Sequence, residues 1–245
     1  MPETQLNQPL KKGDHSGDVK IVQEWLTFHG FGTAVDSEFG PATELCVRNF
    51  QTKYSLLSTG IVDMQTFSPL VSPLVTVQKR ITPAADGLGA LFVKYAQQHL
   101  MQKPLEIGGE NCGPWVRLYM AGNEGAQWPW CAGFATWVLR QAAQTLGVMA
   151  PHPYAFGCDY LGGKAESAGT LLRPKTPAEL ASVKPGYMFL IPKTTNTWLH
   201  IGIVESVATD TITTIEGNTN ENGSAEGYEV ARRTRSLANK DYLIV

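Results

Sequence analysis

Apolar residues recur at the three-to-four-residue spacing of a helix in three stretches of the first quarter of the chain. The first stretch ends at Gly30, a residue type that readily adopts the left-handed conformation after a helix. The second begins at Pro41, which the first helical turn tolerates. The third covers Met64 to Val71. We therefore predict a small three-helix domain over residues 1–71.

The pattern changes in the rest of the chain. Residues 72–89 contain prolines, alanines and glycines without a clear period and are predicted to connect two domains. Helical spacing returns over Ala90–Leu100 and from Phe134 to Gln144. Short apolar runs typical of strands then follow, at Tyr187–Ile191, Leu199–Glu205, Thr211–Glu216, Tyr228–Arg233 and Tyr242–Val245. Helices followed by strands predict an α+β domain over residues 90–245.

Composition and charge exclude several classes of protein. Hydrophobic residues make up 43% of the 245 residues and charged residues 17%, so a packed core is expected rather than disorder. The net charge of −2 and the scattered lysines and arginines argue against nucleic acid as a partner. No apolar run reaches the roughly 20 residues that span a bilayer. The polar start, Met1 to Asp14, has no signal-peptide pattern.

The cysteines and histidines show no metal-binding spacing. The four cysteines are Cys46, Cys112, Cys131 and Cys158. They form no C-x-x-C pair, and free thiols are favoured over the alternative of a Cys112–Cys158 disulfide. No histidine belongs to a cluster with metal-ligand spacing. We expect neither a metal nor a cofactor.

Cys131 lies where a turn containing Pro129 passes into a helix-compatible run. A thiol at a helix start lies in the positive end of the helix dipole, which favours the reactive thiolate. Much later the chain places His200 in one predicted strand and Glu216 and Asn218 at the end of the next. This order is typical of a papain-like thiol hydrolase.

A hairpin of the two middle strands would bring the acid to the histidine. If the connecting loop is centred on Ala208, His200 faces Glu216, and if it is centred half a residue later, His200 faces Gly217. Either register keeps the imidazole near Glu216 and Asn218, which share one strand face.

These residues suggest definite chemical roles. Cys131 would attack a carbonyl carbon, with His200 as base and later as acid. Glu216 or Asn218 would accept the other ring N–H. Trp130 and Gly202 are expected to contact substrate or to leave room for it. Each residue also has an ordinary structural interpretation, such as a core cysteine, but their joint occurrence in this order favours catalysis.

The first part of the chain resembles the peptidoglycan-binding domain found beside many cell-wall hydrolases. The matching residues are Gly17-Asp18-Val19, Val22-Gln23, Leu26, Gly30-Phe31, Val35-Asp36, Phe39-Gly40-Pro41, Thr43, Val47, Phe50-Gln51, Gly60-Ile61-Val62-Asp63 and Thr66. The chain departs from the family where Asp36 is followed by Ser37 rather than glycine. A packing domain without a ligand is the alternative interpretation.

The second part resembles the CHAP amidase and endopeptidase family, a branch of the papain-like hydrolases. The matching segments are Trp128-Pro129-Trp130-Cys131-Ala132-Gly133-Phe134, Lys184-Pro185-Gly186-Tyr187, His200-Ile201-Gly202-Ile203-Val204-Glu205 and Ile215-Glu216-Gly217-Asn218-Thr219-Asn220. The family usually has aspartate where this chain has Tyr187. The resemblance implies Cys131 as nucleophile, His200 as base, and Glu216 with Asn218 as orienting groups.

Together the two resemblances imply a peptidoglycan hydrolase that cleaves an amide bond and is tethered to the wall. Without a visible signal peptide, we expect a phage endolysin released by a holin or an effector delivered by a secretion machine, acting in the periplasm or cell wall. An effector would have an immunity or inhibitor protein as a further partner. The alternatives are a non-catalytic wall-binding protein with a degenerate hydrolase domain, and a thiol transferase or deamidase.

Overall fold

The computed structural model describes residues 3–83, 85, 87–220 and 227–245. The helices are α1 Gly17–Phe28, α2 Pro41–Lys53, α3 Met64–Val77, α4 Gly87–Met101, α5 Pro114–Tyr119, α6 Cys131–Leu146, α7 Cys158–Ser167 and α8 Pro177–Leu180. The strands are β1 Leu171–Leu172, β2 Met188–Thr194, β3 Thr197–Val207, β4 Thr211–Thr219, β5 Glu229–Ser236 and β6 Asp241–Leu243. Helices thus precede an antiparallel sheet, which confirms the predicted α+β class.

Local capping explains the three N-terminal helices. Ser16 caps α1 and Asp63 caps α3, each accepting a hydrogen bond from the backbone of the first turn. Pro41 begins α2, as predicted. Gly30 has a φ of +84° just after α1, which is the predicted helix-ending role.

The connection between the two parts of the chain is shorter than the prediction of residues 72–89. Helix α3 continues to Val77, and α4 already begins at Gly87. The buried stripe of α3 extends through Leu74 and Val77, so burial carries the helix past its internal prolines. A proline costs helix stability but does not always end a helix when its apolar face is packed.

The six strands form one sheet in the order β1-β6-β2-β3-β4-β5. Every pairing in the sheet is antiparallel. The polar stretch after Gly147 contains α7, β1 and α8, which the sequence pattern did not predict. In the described part of the chain, no helix is long and apolar enough to cross a membrane.

Both faces of the sheet are buried. Met188 and Leu190 of β2 belong to the large core that also includes α4, α6 and the N-terminal helices. Phe189, which points to the opposite face, belongs to a smaller cluster with Val204 and Tyr242. Helix α6 packs on β3 and β4, and its start lies close to Gly217 near the end of β4, where a Cβ atom would meet Phe134 and Trp130.

The N-terminal helices are joined to the second part of the chain by aromatic and charged contacts. The ring of Trp25 on α1 packs edge-on against Trp115 on α5, with centroids 5.9 Å apart. Beside this pair the guanidinium of Arg117 pairs with three carboxylates, those of Glu3, Glu24 and Glu124. The side chain of Glu24 is wholly buried, so this ion cluster belongs to the core between the two parts.

Candidate active site

Cys131 is the first residue of α6, where the sequence predicted a helix start. The preceding Trp130 occupies the N-cap position and makes no side-chain hydrogen bond to the helix. Its indole N–H is instead donated to Glu106, at 2.9 Å. The first backbone N–H groups of α6 are therefore not capped by this side chain, and the Cys131 sulfur lies at the positive end of the helix.

The imidazole of His200 is fully buried and is oriented by Glu216. Its Nε2 lies 2.9 Å from the carboxylate of Glu216. No described residue hydrogen-bonds its Nδ1, which is therefore the nitrogen available to Cys131. Cys131 and His200 shift each other's pKa, so they are close, although they lack the geometry of an ordinary hydrogen bond. Such loose contacts are common in catalytic sites without substrate.

Two residues that sequence reasoning missed hold the carboxylate of Glu216. Arg235 on β5 donates from Nε at 2.6 Å and from Nη2 at 2.5 Å, one bond to each carboxylate oxygen. The hydroxyl of Thr214 donates a further bond at 2.5 Å. One sequence feature could have indicated an arginine partner for Glu216. The strand that follows the strand of Glu216, β5, contains three arginines.

Cys131, His200 and Glu216 form a chain in which His200 and each of its two neighbours stabilise each other's charged forms. Burial alone would raise the pKa of Glu216, but Arg235 and His200 lower it to about 2. Burial alone would lower the pKa of His200, but Cys131 and Glu216 raise it to about 9. Near neutral pH the imidazole is therefore protonated and the carboxylate ionised.

Cys158 is a third residue that sequence reasoning missed. It begins α7, and its sulfur lies 3.8 Å from the sulfur of Cys131. A hydrogen bond from this second thiol lowers the pKa of Cys131 well below the usual range, and His200 adds to the effect, while burial opposes it. All four cysteines are free thiols, as favoured, and the alternative Cys112–Cys158 disulfide is absent.

The hairpin register differs from both predicted registers. Ile203 pairs with Ile215 and Val204 with Thr214, two positions further along β4 than the first predicted register and one further than the second. The turn closes between Ala208 and Thr211, later than the loop centre that the prediction assumed. Glu216 reaches the imidazole from a diagonal position, as neighbouring strands allow.

Two expected substrate contacts are corrected by the packing. A Cβ atom added at Gly202 would lie 2.6 Å from Glu216 and 2.6 Å from Phe189, so this glycine makes room for the Glu216 side chain rather than for substrate. Trp130 is fully buried and stacks on Tyr119, with ring centroids 5.6 Å apart. It positions the start of α6 and has no surface for a substrate.

Asn218 does not hydrogen-bond the imidazole. It instead lines a cavity of about 310 Å³, together with Glu106, Glu110, Asn111 and Tyr228 among others. Asn218 is 1% exposed, and its side-chain oxygen has no hydrogen-bond partner among the described residues. The cavity borders the Cys131 turn, because Pro129 also lines it. It therefore offers an unused acceptor beside the candidate site.

The other histidines make scaffold contacts. His29 and His152 bond backbone carbonyl oxygens, and buried His99 bonds the hydroxyl of Tyr119. His15 lies in a short β-bridge with Glu38. Within the described ranges, no group of three or more histidine, cysteine, aspartate or glutamate side chains could hold a metal ion.

A thiolate beside an imidazolium, at an uncapped helix start, is suited to nucleophilic attack on a carbonyl carbon. Comparison with known families agrees with this chemistry. Residues 15–70 match the family described as a putative peptidoglycan binding domain, and residues 109–218 match the CHAP domain family. No curated protein matches the chain.

Proposed function

The chain joins a peptidoglycan-binding domain to a CHAP domain, and from this architecture we propose that it is a cell-wall hydrolase that cleaves an amide bond of peptidoglycan through an acyl-enzyme on Cys131. CHAP domains are typically cysteine- and histidine-dependent amidases or peptidases. One observation carries the proposal: the series of Cys131, His200, Glu216 and Arg235, in which each group contacts the next or shifts its pKa.

The first half of the reaction forms the acyl-enzyme. The Cys131 thiolate attacks the carbonyl carbon of the amide, and the oxygen becomes negatively charged. The backbone N–H of Cys131 at the helix start would stabilise this oxygen, and one such donor lowers a barrier by roughly 3 kcal/mol. The His200 imidazolium then protonates the amine nitrogen, the C–N bond breaks, and the amine leaves.

The second half releases the other product. The now neutral His200 takes a proton from a water molecule, and the resulting hydroxide attacks the thioester carbon. The C–S bond breaks, a carboxylic acid leaves, and Cys131 and His200 return to their charged forms. Glu216 keeps one ring nitrogen occupied throughout, so the other always faces the sulfur.

The cavity beside Pro129 is the place where we expect the substrate segment next to the cleaved bond to bind. The unpartnered oxygen of Asn218 and the exposed carboxylate of Glu110 are hydrogen-bond acceptors. Amide N–H and ammonium groups, which are donors, complement them. A peptide stem of peptidoglycan supplies both kinds of group.

The N-terminal domain would hold the enzyme on its polymeric substrate. Once the N-terminal domain is bound to the wall, the catalytic domain meets its substrate within the same complex. This raises the local substrate concentration. The cleaved bond is either the amide between muramic acid and L-alanine or a peptide bond of the stem or cross-bridge. Release by a phage lysis system or delivery by a secretion machine would bring the protein to the wall.

Digestion of purified peptidoglycan followed by mass spectrometry tests the proposal. The full chain should release fragments with new amino termini, on L-alanine for an amidase and on another residue for an endopeptidase. Cys131→Ala should release none. Equal product from both proteins would reject the thiol mechanism, and absence of product from both, with retained wall binding, would favour a non-catalytic wall-binding protein.

A further inference from the structure

The second thiol beside Cys131 stabilises the thiolate through a hydrogen bond, but it takes no chemical step in the hydrolysis described above. Cys131 and Cys158 are each the first residue of a helix, and their sulfur atoms are 3.8 Å apart. Both side chains are buried, and neither forms a disulfide. The other two cysteines, Cys46 and Cys112, are each placed elsewhere, and no thiol–thiol contact is found for them in the described chain.

The packing of α7 fixes Cys158 in this position. The carboxylate of Asp159, the next residue, accepts a hydrogen bond of 2.6 Å from the backbone N–H of Trp198 on β3. One turn later, a Cβ atom at Gly162 would lie 2.3 Å from the Trp198 ring, so helix and ring are in close contact. The indole N–H of Trp198 donates a hydrogen bond of 2.7 Å to the carboxylate of Asp241. The start of α7 is therefore held against the strand that carries His200.

From this arrangement we propose that Cys131 and Cys158 form a reversible oxidation site, in which a hydroperoxide oxidises Cys131 and Cys158 then closes a disulfide that blocks the nucleophile. A disulfide needs sulfur atoms about 2.0 Å apart, so the two thiols must approach by about 1.8 Å. A change of one cysteine side chain from one staggered rotamer to another moves its sulfur by more than this distance. The chemistry of the pair does not depend on the proposed hydrolase function; only its effect on activity does.

The first step is oxidation of Cys131 by the hydroperoxide. The thiolate sulfur attacks the terminal oxygen, a sulfur–oxygen bond forms and the oxygen–oxygen bond breaks. The sulfur is oxidised to sulfenic acid, and the peroxide is reduced to an alcohol, or to water when hydrogen peroxide is the oxidant. The His200 imidazolium can supply the proton that the leaving oxygen takes up.

The second step joins the two sulfurs. The Cys158 sulfur attacks the sulfenic sulfur, the disulfide bond forms, and hydroxide leaves with the thiol proton as water. A dithiol such as dithiothreitol reverses the bond by exchange and is itself oxidised. Without Cys158, a second peroxide would carry Cys131 on to sulfinic acid, which thiols do not reduce. Cys158 thus protects the nucleophile while it is switched off.

Hydrogen peroxide treatment of the purified full chain tests this proposal. The native protein should lose two hydrogens, and a non-reduced peptide map should contain a Cys131–Cys158 cross-linked peptide. Peptidoglycan hydrolysis should fall by at least about tenfold, as expected when the attacking thiolate is consumed, and should return with dithiothreitol. The mass and the map are independent of hydrolysis, so they test the thiol pair even if the chain cleaves nothing.

Two variants sharpen the test. Cys158→Ser should gain oxygen on Cys131 and, compared with its own untreated sample, should recover only part of its hydrolysis with dithiothreitol. Cys112→Ser is the matched control and should form the same cross-link as the native chain. Oxygen addition on Cys131 of the native chain without a cross-link, or a cross-link through Cys112, would overturn the proposal. The native-chain map decides the matter even if Cys158→Ser does not fold.

Discussion

Glu24 and Glu216 are two wholly buried glutamates, and each is held by two hydrogen bonds from one arginine. The difference lies in what else each carboxylate contacts. Glu24 also lies near Lys20, a group that stays charged at neutral pH. Glu216 contacts His200, and through it influences a thiol. Burial raises the pKa of Glu24 in spite of Arg117, whereas Arg235 and His200 lower the pKa of Glu216 to about 2. Only Glu216 contacts an imidazole, a group that can transfer a proton during catalysis.

Glu216→Gln should have the largest effect on hydrolysis. The amide removes the negative charge that stabilises the imidazolium and can present its N–H to the ring. Loss of the carboxylate that orients a catalytic imidazole lowers the rate by on the order of 10⁴-fold. Peptidoglycan dye-release rates measure this, with a denaturant titration to confirm that the variant is folded. A folded variant within tenfold of the native rate would show that Glu216 does not position His200.

Glu24→Gln should lower stability while leaving the chemistry in place. It leaves Arg117 with one fewer buried carboxylate partner, and removing one member of a buried ion pair costs about 3 kcal/mol. We expect a lower denaturant midpoint and, for the folded fraction, hydrolysis of a soluble peptidoglycan fragment within about threefold of native, since distant sites act independently. A loss as large as that of Glu216→Gln would remove the distinction between the two carboxylates.

Gly202→Ala tests whether that glycine makes room for Glu216. The added methyl group would overlap Glu216 and Phe189, and overpacking of this kind costs about 1–3 kcal/mol. Hydrolysis should fall together with stability, because the displaced carboxylate no longer holds His200. Gly163→Ala on α7 is the control, since a Cβ there meets nothing within 4 Å. Equal behaviour of the two variants in thermal unfolding would contradict the assignment.

The pH dependence should be the smallest of these effects. The pKa of His200 is raised to about 9, so hydrolysis should decline as pH rises through about 9, when the imidazolium loses its proton. The charged ring contributes its full stability below its ordinary pKa near 6.5. This stability is lost as the pH rises from about 6.5 through about 9. For Glu216, with a pKa lowered to about 2, stability is lost only as pH falls from about 4.5 through 2. An alkaline limb of kcat/KM near 7 would contradict the charged pair.

Sequence reasoning predicted the parts of the site that depend on local pattern and order. Helical spacing predicted the N-terminal helices, and the succession of Cys131, His200 and Glu216 predicted residues that the structure brings together. The register of the hairpin could not be obtained in this way. It depends on where the turn closes and on an irregularity between Val204 and Ser206, neither of which leaves a clear sequence signal.

The missed residues owe their roles to tertiary contacts. Cys158 lies in a polar stretch with Gly and Pro, and only the docking of α7 on Trp198 brings it to Cys131. Arg235 belongs to a strand of alternating exposure that is typical of a solvated edge, yet it reaches inward to Glu216. The sequence predicts that Gly202 leaves space, but which group fills that space depends on the packing of β2, β3 and β4.

The ionisation of Cys131 can be measured directly by iodoacetamide alkylation followed by peptide mapping over a range of pH. Cys46 and Cys112 are internal controls, because burial raises the pKa of each. The charged thiolate–imidazolium pair predicts that Cys131 is already alkylated at its full rate near pH 6, while the rates at Cys46 and Cys112 keep rising above pH 8.5. A Cys131 rate that rises together with the two controls would contradict it.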